Sequence, residues 1–271
     1  MRGTSAVSLR DVVREASDAL RADDVSRERV ADELFRAADV IDSSSRLVRL
    51  LSDAGQEPAV KESAAQRLFA EHVTAPTLGI IRSIVTRAWS EQEDILDALE
   101  QVGAIALFEQ ADSEGALQEV EEQLFQLSRL VDGNPELVQT LDGAREDSAL
   151  RTRLVGSLLE GRAHRITTQL AVRAVERTTE EKPSRRIFEF AEFAAEQRRR
   201  LLAVVSTARP LTEQQQQRLA SILAGIYGRE VQMNFEVAED VVGGLRINVG
   251  DDLYDATVLS RLGRARARLA S

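Results

Sequence analysis

The sequence contains no cysteine, and only 4% of its 271 residues are aromatic. Without thiols the chain has no disulfides and no thiolate chemistry, which fits a reducing cytoplasm. Its two histidines, His72 and His164, have no cysteine available as a co-ligand. A zinc site or a histidine-based catalytic pair needs further converging groups. We therefore predict no catalytic residue, no metal and no cofactor.

Long apolar runs are also missing. No window approaches the roughly twenty apolar residues that span a bilayer. The first eight residues, MRGTSAVS, lack the apolar stretch of a signal peptide. We therefore expect no direct membrane insertion, and any association with a membrane to pass through a partner.

The chain has fewer basic than acidic residues. The chain has 45 acidic residues against 35 lysines and arginines, a formal net charge of -10. A non-specific nucleic-acid surface needs a basic excess to displace counterions from phosphates. Nucleic acid is therefore excluded as a partner.

What the sequence does contain is typical of helical bundles. Hydrophobic residues make up 43% of the chain and charged residues 30%, so that the cores must be built from Leu, Val, Ile and Ala. Residues 117–131 place apolar side chains at alternating spacings of three and four, the stripe of an amphipathic helix. These residues are Leu117, Val120, Leu124, Leu127 and Val131.

The same pattern recurs ninety residues earlier, at Val30, Leu34, Ala37 and Ile41. The spacing needs no gap over many predicted helices, which favours an internal duplication over chance. Two similar bundles are the simplest consequence. Pairs at this spacing include Leu9 and Leu99, Val12 and Val102, Phe35 and Phe125, Asp42 and Asp132, and Leu68 and Leu158.

Turn signals divide the second copy into helices. The predicted ranges are 98–113, 116–132, 135–141, 147–160, 164–181 and 184–202, and in the first copy 6–22, 26–42, 44–53, 57–72, 75–89 and 91 onward. No proline lies between Glu91 and Asp112. One helix of about 33 Å is therefore expected to serve both bundles.

After residue 202 the apolar period changes from 3.6 to 2. Residues 202–207 can form a strand, and Thr212 to Gln215 form a capping box that opens a helix. That helix carries Leu219, Ile222, Leu223 and Ile226. Val231, Met233, Phe235 and Val237 alternate with polar residues, and Leu245, Ile247 and Val249 do the same. A hairpin turn at Gly250 and Asp251, a short strand and a last helix capped by Asp255 complete a small α/β module.

The sequence thus predicts a mainly α protein with two tandem six-helix bundles that share, or are joined by, a long helix, followed by a small α/β domain. The predicted domains are an additional N-terminal bundle over 1–97, a second bundle over 98–201 and the α/β domain over 202–271.

The glycines and aspartates near the C-terminus do not form a ligand motif. Gly243 and Gly244 lead into a strand, whereas a phosphate loop leads into a helix. Asp251 and Asp255 are explained by a hairpin turn and a helix cap, without a metal.

Two blocks carry a family resemblance: VSTARPL at 205–211, and GGLRINVGDDLYDAT at 243–257. Together with AIALFEQADSEG at 104–115, they resemble the delta subunit of bacterial F-type ATP synthase, the family equivalent to the mitochondrial oligomycin-sensitivity-conferring protein. The resemblance covers about residues 98–271. Its structural motif in the C-terminal domain falls on Ser206, Pro210, Gly243, Gly244, Gly250, Asp251 and Asp255.

The resemblance implies a non-enzymatic stator subunit, present once in a hetero-oligomeric complex on the cytoplasmic face of the bacterial membrane. Such a subunit binds amphipathic N-terminal helices of the alpha subunits in a groove, holds the C-terminal region of the b subunit, and resists rotor torque. The alpha-binding groove would lie on the first and fifth helices of the second bundle. Its residues here are Ala104, Leu107, Phe108, Leu170, Ala171 and Ala174.

The sequence departs from the family pattern in two ways. Gly103 replaces the aromatic residue usually found just before the first-helix alanine, and the N-terminal ninety residues are additional. As a hypothesis, the extra bundle adds a further contact to the stalk or to the head. Two alternatives stay open: a free-standing helical adaptor with an α/β interaction module, and a small enzyme that uses residues 243–255. The lack of convergent catalytic groups disfavours the enzyme.

Overall fold

The computed structural model describes residues 3–22, 25–143, 147–176, 182–200, 202–227, 231–238, 241, 243–249 and 252–255. Within these ranges the chain is mainly α, with twelve helices and four strands. Its internal contacts divide it into two units, Met1–Ala194 and Ala195–Ser271. Over the same ranges, no helix combines the length and the apolar character that crossing a bilayer requires.

Eleven helices begin within the first unit. They are α1 (Thr4–Leu20), α2 (Arg27–Asp42), α3 (Ser45–Ser52), α4 (Pro58–Phe69), α5 (Ala75–Thr86), α6 (Asp94–Ser113), α7 (Leu117–Asp132), α8 (Pro135–Gly143), α9 (Ser148–Leu159), α10 (Arg165–Glu176) and α11 (Pro183–Arg200). The predicted helix positions are confirmed to within a few residues. Residues 177–181, which the helix predicted over 164–181 includes, lie outside the described ranges.

The amphipathic stripe that predicted α7 is the face that the structure buries. All five of its apolar residues, from Leu117 to Val131, lie in the interior of the unit. α2 buries the matching positions Val30, Leu34, Ala37 and Ile41, and Ser26 caps its first turn by accepting a hydrogen bond from the Arg29 backbone N–H.

Three helices recur with a constant spacing of ninety residues. α2, α4 and α5 begin at residues 27, 58 and 75, and α7, α9 and α10 begin at 117, 148 and 165, and each pair also ends ninety residues apart. We call α1–α5 the first helical group and α6–α10 the second helical group. The two groups match in helix position, while the duplication of a six-helix bundle stays a prediction.

A polar contact also recurs at this spacing. The buried Glu33 carboxylate on α2 accepts hydrogen bonds at the start of α5 from the Thr74 backbone N–H (2.8 Å), the Thr74 hydroxyl (2.8 Å) and the Thr77 hydroxyl (2.6 Å). In the second group, the Gln123 side-chain oxygen accepts from the His164 backbone N–H (2.8 Å) and the Thr167 hydroxyl (2.8 Å). Both side chains satisfy donors that a helix N-terminus leaves unpaired.

α6 is one continuous helix that contacts both groups. It packs against α1, α2, α3 and α5 and also against α7 and α10, and most of its residues are buried. The absence of proline between Glu91 and Asp112 predicts this continuity. The predicted domain boundary at residue 97 falls inside this helix, and the division into domains stays a prediction.

The second unit contains β1 (Leu202–Thr207), α12 (Glu213–Tyr227), β2 (Gln232–Val237), β3 (Leu245–Val249) and β4 (Asp252–Asp255). The sheet order is β2-β1-β3-β4, with β1 parallel to β2 and antiparallel to β3. The predicted capping box is confirmed, since Thr212 and Gln215 each accept a hydrogen bond from the other's backbone N–H. The core cluster is Ala203, Val205, Leu219, Leu223, Val231, Ile247 and Val249.

Some apolar residues of this unit are exposed, and some of the predicted features lie outside the described residues. Val237 lies on the same face of β2 as the half-buried Met233 and Phe235, yet it is 59% exposed; it is the last residue of β2 and pairs with Thr207, the last residue of β1. Ile222 and Ile226 lie on the apolar stripe of α12 and are also exposed. Asp255 is the last residue of β4, and the helix predicted to follow it lies outside the described residues, as do Gly250 and Asp251.

The Glu33 contact leads to a stability prediction. Burial raises the pKa of Glu33, but hydrogen bonds from Thr77 and Thr74 and the contact with Arg29 outweigh it, so that the pKa lies below its ordinary value. A lowered folded-state pKa contributes stability above the unfolded pKa, and this stability is lost as pH falls through the folded pKa. We expect Glu33→Ala to lower the free energy of unfolding by about 1–3 kcal/mol at neutral pH, because it leaves buried donors unpaired.

Glu33→Gln, which introduces the residue that the second group uses, is the matched control. It should retain most of the stability at neutral pH and lose the acid-dependent part. Denaturant unfolding at about pH 7 and about pH 4 measures both quantities. If Glu33→Gln loses as much stability on acidification as the parent chain, the Glu33 carboxylate is not responsible for it.

Candidate partner-binding site

The described residues offer no arrangement for metal chemistry. No group of three or more His, Cys, Asp or Glu side chains among them is placed to hold a metal ion. His164 lies at the start of α10, where its Nδ1 accepts a hydrogen bond from the Ile166 backbone N–H at 3.3 Å. Its Nε2 lies 3.6 Å from the Glu114 carboxylate after α6, so that its contacts are with a helix N-terminus and one acidic side chain.

The six residues predicted to line a partner groove lie in the interior of the first unit. Three belong to α6 and three to α10, two helices that pack against each other. Each is at most 2% exposed: Ala104, Leu107, Phe108, Leu170, Ala171 and Ala174. We call these six residues the α6–α10 seam. That they bind a partner stays a prediction.

Aromatic packing closes one part of the seam from within the chain. The ring of Phe108 meets the ring of Phe193 on α11 edge to face, with centroids 5.7 Å apart and an interplanar angle of 74°. This is a favoured geometry for an aromatic pair, because the positive edge of one ring faces the negative face of the other. Phe108 is therefore engaged by α11.

Helix α2 lies against both helices of the seam, and Gly103 makes its close approach to α6 possible. A Cβ atom at position 103 would come within 2.5 Å of Cε1 of Phe35, a distance that real Cβ atoms do not reach. The Phe35 ring thus occupies the space left by the missing side chain of Gly103, which we call the notch, and Phe35 is 8% exposed. Gly103, the departure from the family pattern, is thus the position that accommodates a helix of the first group.

Arg173 joins α10 to the other two helices. Its guanidinium donates to both oxygens of Asp39 on α2 at 2.8 and 2.9 Å, to the backbone oxygen of Phe35 at 3.1 Å, and through Nε to both oxygens of Glu100 on α6 at 3.1 Å. It also lies 5.0 Å from the centroid of the Phe35 ring. Planar guanidinium geometry is suited to such bidentate pairs.

The electrostatics of this cluster follow from burial and pairing. The side chains of Arg173 and Glu100 are both 4% exposed. Burial lowers the pKa of Arg173, but hydrogen bonds and charge attraction from Glu100 and Asp39 outweigh it and raise the pKa. Arg186 on α11 adds a second cation 3.9 Å from Glu100. The cluster therefore holds its charges in a fixed arrangement.

A second arginine links α2 to α10 at the other end of the contact. Arg165, the first residue of α10, pairs with Glu28 on α2 and with Glu114 after α6. Sequence reasoning missed both arginines as structural residues. The one available signal was their spacing of eight along α10, which places them on the same side of that helix.

The motif residues of the second unit have structural roles. Ser206 is buried on β1 and donates a hydrogen bond to the Glu236 carboxylate on β2 at 2.7 Å. Pro210 is exposed in the segment before α12. Gly243 and Gly244 lie in the bend before β3, where Gly244 has φ of 84°, a conformation that favours glycine. These residues shape turns and strand pairing.

The second unit also exposes apolar side chains. Ile222 and Ile226 lie one turn apart on α12, and Leu253 and Tyr254 lie on β4, the last strand of the sheet order. Tyr227 ties the two elements together, because its hydroxyl donates to Asp252 at 3.0 Å and lies 3.2 Å from the Tyr254 hydroxyl. Burial, followed by these hydrogen bonds, raises the pKa of Tyr227.

Comparison with known proteins gives consistent matches. The family model of the ATP synthase delta (OSCP) subunit matches residues 99–269. ATP synthase subunit delta of Streptomyces avermitilis is 38% identical over 259 residues, covering 95% of each chain, and that of Beutenbergia cavernae is 37% identical over 270 residues, covering 100% of each chain. The residues before 99 therefore have counterparts in these relatives.

A solved structure also aligns with this chain. One chain of the cryo-EM structure of the Toxoplasma gondii mitochondrial ATP synthase hexamer is 18% identical, with a TM-score of 0.33. The alignment covers 62% of this chain and 95% of that chain.

The notch at Gly103 predicts an unusual response to alanine. Gly103→Ala should lower the free energy of unfolding by about 1–3 kcal/mol, because the added methyl group overlaps the Phe35 ring. Gly156→Ala is the matched control, since Gly156 lies in α9 and an added Cβ there meets no atom within 4 Å. It should raise stability by up to about 1 kcal/mol through helix propensity.

Thermal or denaturant unfolding measures both changes. Combining Gly103→Ala with Phe35→Leu should cost less than the sum of the two single changes, because the smaller side chain relieves the overlap. If the two changes in the free energy of unfolding are strictly additive, the added methyl group does not overlap the Phe35 ring.

Proposed function

The chain belongs to the ATP synthase delta (OSCP) subunit family, and from that premise we propose how it connects the parts of its complex. As a member of this family it is a non-catalytic stator component of the F-type ATP synthase. We propose that one copy links the alpha subunits of the catalytic head to the b subunit of the peripheral stalk, on the cytoplasmic face of the bacterial membrane. In that position it resists the torque of the rotor.

The proposed head contact is a helix-in-groove interaction with the N-terminal helices of the alpha subunits. Its candidate residues are the α6–α10 seam. The observation that carries the proposal is that a helix of this chain already lies beside the seam: α2 contacts Gly103 on α6, next to Ala104, and Arg165 and Arg173 on α10. The seam residues are at most 2% exposed, so we expect an alpha helix to reach them by displacing α2, the helix that lies beside them.

The proposed stalk contact lies on the second unit. Ile222 and Ile226 are half exposed and lie on one face of α12, an arrangement that suits an amphipathic helix of the b subunit. Exposed aliphatic side chains next to each other are costly in a free surface and useful in an interface. The two contacts act together, because linked sites raise each other's effective concentration.

The first helical group fits this role as an additional structural element. We propose that it is an internal repeat of the second group and that it adds a further contact within the complex. The matching boundaries of α2, α4 and α5 with α7, α9 and α10 support this proposal. Because the chain belongs to this family, we no longer keep the alternative hypothesis of a free-standing adaptor.

The head contact is tested with peptides from the alpha N-terminus. We expect the full chain to bind such a peptide with a micromolar dissociation constant. If the peptide uses the seam, amides of α2 should lose protection from hydrogen exchange as it binds, because α2 must leave. Absence of binding to any alpha peptide would count against the head contact, and binding with unchanged α2 protection would count against the six seam residues alone.

The stalk contact is tested by charge substitution on α12. Ile222→Asp and Ile226→Asp should each weaken binding of a peptide from the C-terminal region of b by about 30-fold or more, the effect of removing an interface anchor. Gln217→Asp adds the same charge to the same helix at an exposed position and should leave the affinity within about threefold. Equal affinities for all three variants in a titration would exclude this face as the stalk contact.

A further inference from the structure

Helices α2 and α7 present matching faces with different exposure. The two helices have the same boundaries at a spacing of ninety residues, and the same side of each caps a following helix, through Glu33 in one and Gln123 in the other. Phe35 and Phe125 occupy matching positions. Phe35 is 8% exposed and Phe125 is 48% exposed. An aromatic ring that is covered in the first group is therefore open in the second.

The sequence also differs at the position that matches the notch. The ring of Phe35 enters the notch at Gly103 on α6. Ninety residues after Gly103, α11 carries Phe193, whose own ring packs against Phe108. The position that matches the notch thus carries a large side chain, and that side chain packs against α6. A partner that covers this ring has to bring its own small residue.

The charge on the two faces also differs. Asp39 on α2 receives Arg173 in a bidentate pair. The matching residue on α7 is Arg129, whose guanidinium lies 5.9 Å from the centroid of the Phe125 ring. A second copy of this chain that presented α10 here, as α10 is presented to α2, would place its Arg173 against Arg129, and like charges disfavour that contact. The face therefore selects a different partner, with an anion at this position.

We propose that the exposed face of α7, defined by Gln118, Glu122, Phe125 and Arg129, is a docking surface for an α-helix of another subunit of the ATP synthase. This helix presents a glycine or alanine to the Phe125 ring and a carboxylate to Arg129. The surface is preorganised, because the opposite side of α7 is fixed in the core by Leu117, Val120, Leu124, Leu127 and Val131. A rigid aromatic ring beside an arginine is a composition typical of interface anchors.

Leu130 supplies an internal control for the proposal. It is 54% exposed and follows Arg129 directly, yet it lies about 140° around the helix from Phe125. A hydrophobic exposed side chain outside the face should contribute little to docking. Comparing substitutions at Phe125 and Leu130 thus distinguishes an effect of this face from a general effect of exposed apolar side chains.

Rebinding to ATP synthase tests how much this face contributes to the binding affinity of the chain. Delta-depleted ATP synthase is titrated with the parent chain and with Phe125→Ala, Arg129→Glu, Arg129→Lys and Leu130→Ala, after thermal unfolding shows that the variants fold alike. We expect Phe125→Ala to weaken rebinding by about 30-fold and Arg129→Glu by tenfold or more. Arg129→Lys should keep most of the affinity and Leu130→Ala all of it. Parent-like rebinding by both Phe125→Ala and Arg129→Glu would overturn the proposal.

Thiol labelling tests the location without depending on affinity. Because the chain has no cysteine, Gln118→Cys places a single thiol at the edge of the face, and Leu150→Cys places one at an exposed site on α9. We expect a maleimide to label both in the free chain and to label Leu150→Cys alone in the assembled complex. Full labelling of Gln118→Cys in the complex would overturn the proposal, as would a homodimer of the free chain that Phe125→Ala abolishes.

Discussion

The buried guanidinium of Arg173 is the constraint on which the arrangement of the first unit depends. Removing a charge from water costs several kcal/mol unless partners replace the lost hydration, and these partners come from two other helices. Glu100 on α6 and Asp39 on α2 must therefore lie within hydrogen-bond reach of α10 at the same time. Once they do, α2 is held against α6 at a distance that leaves no room for a side chain at Gly103. The mutual placement of α2, α6 and α10 is thus tied to one buried charge.

Local pattern was enough to predict most elements, because each depends on the spacing of apolar residues within a few turns or a few strand positions. Thus α7 and β3 follow directly from their stripes, and the capping box of α12 from Thr212 and Gln215. The role of Arg173 could not be predicted in this way. An arginine in an amphipathic helix is normally solvated, and its two partners lie 73 and 134 residues away in the chain.

The candidate site also shows that local pattern does not predict which residues are covered by distant parts of the chain. The family resemblance predicted a partner groove on α6 and α10, but its six residues lie in the interior of the unit. Phe108 packs against Phe193 of α11, and α2 lies against Gly103. Conversely, Phe125 and Ile222 lie on or beside apolar stripes and remain exposed. Periodicity reports which side of an element is apolar. Whether that side is covered depends on long-range packing, as the buried Phe35 and the exposed Phe125 at matching positions illustrate.

The continuity of α6 has a mechanical consequence. Its twenty residues form one hydrogen-bonded rod about 30 Å long, with the first helical group packed on it from one side and the second from another. Bending such a rod sharply requires a break in its hydrogen-bond ladder, and α6 contains no proline to provide one. A continuous α6 therefore favours transmission of load between the two groups over bending within this helix. We expect elastic compliance to come from elsewhere in the chain than a hinge in α6.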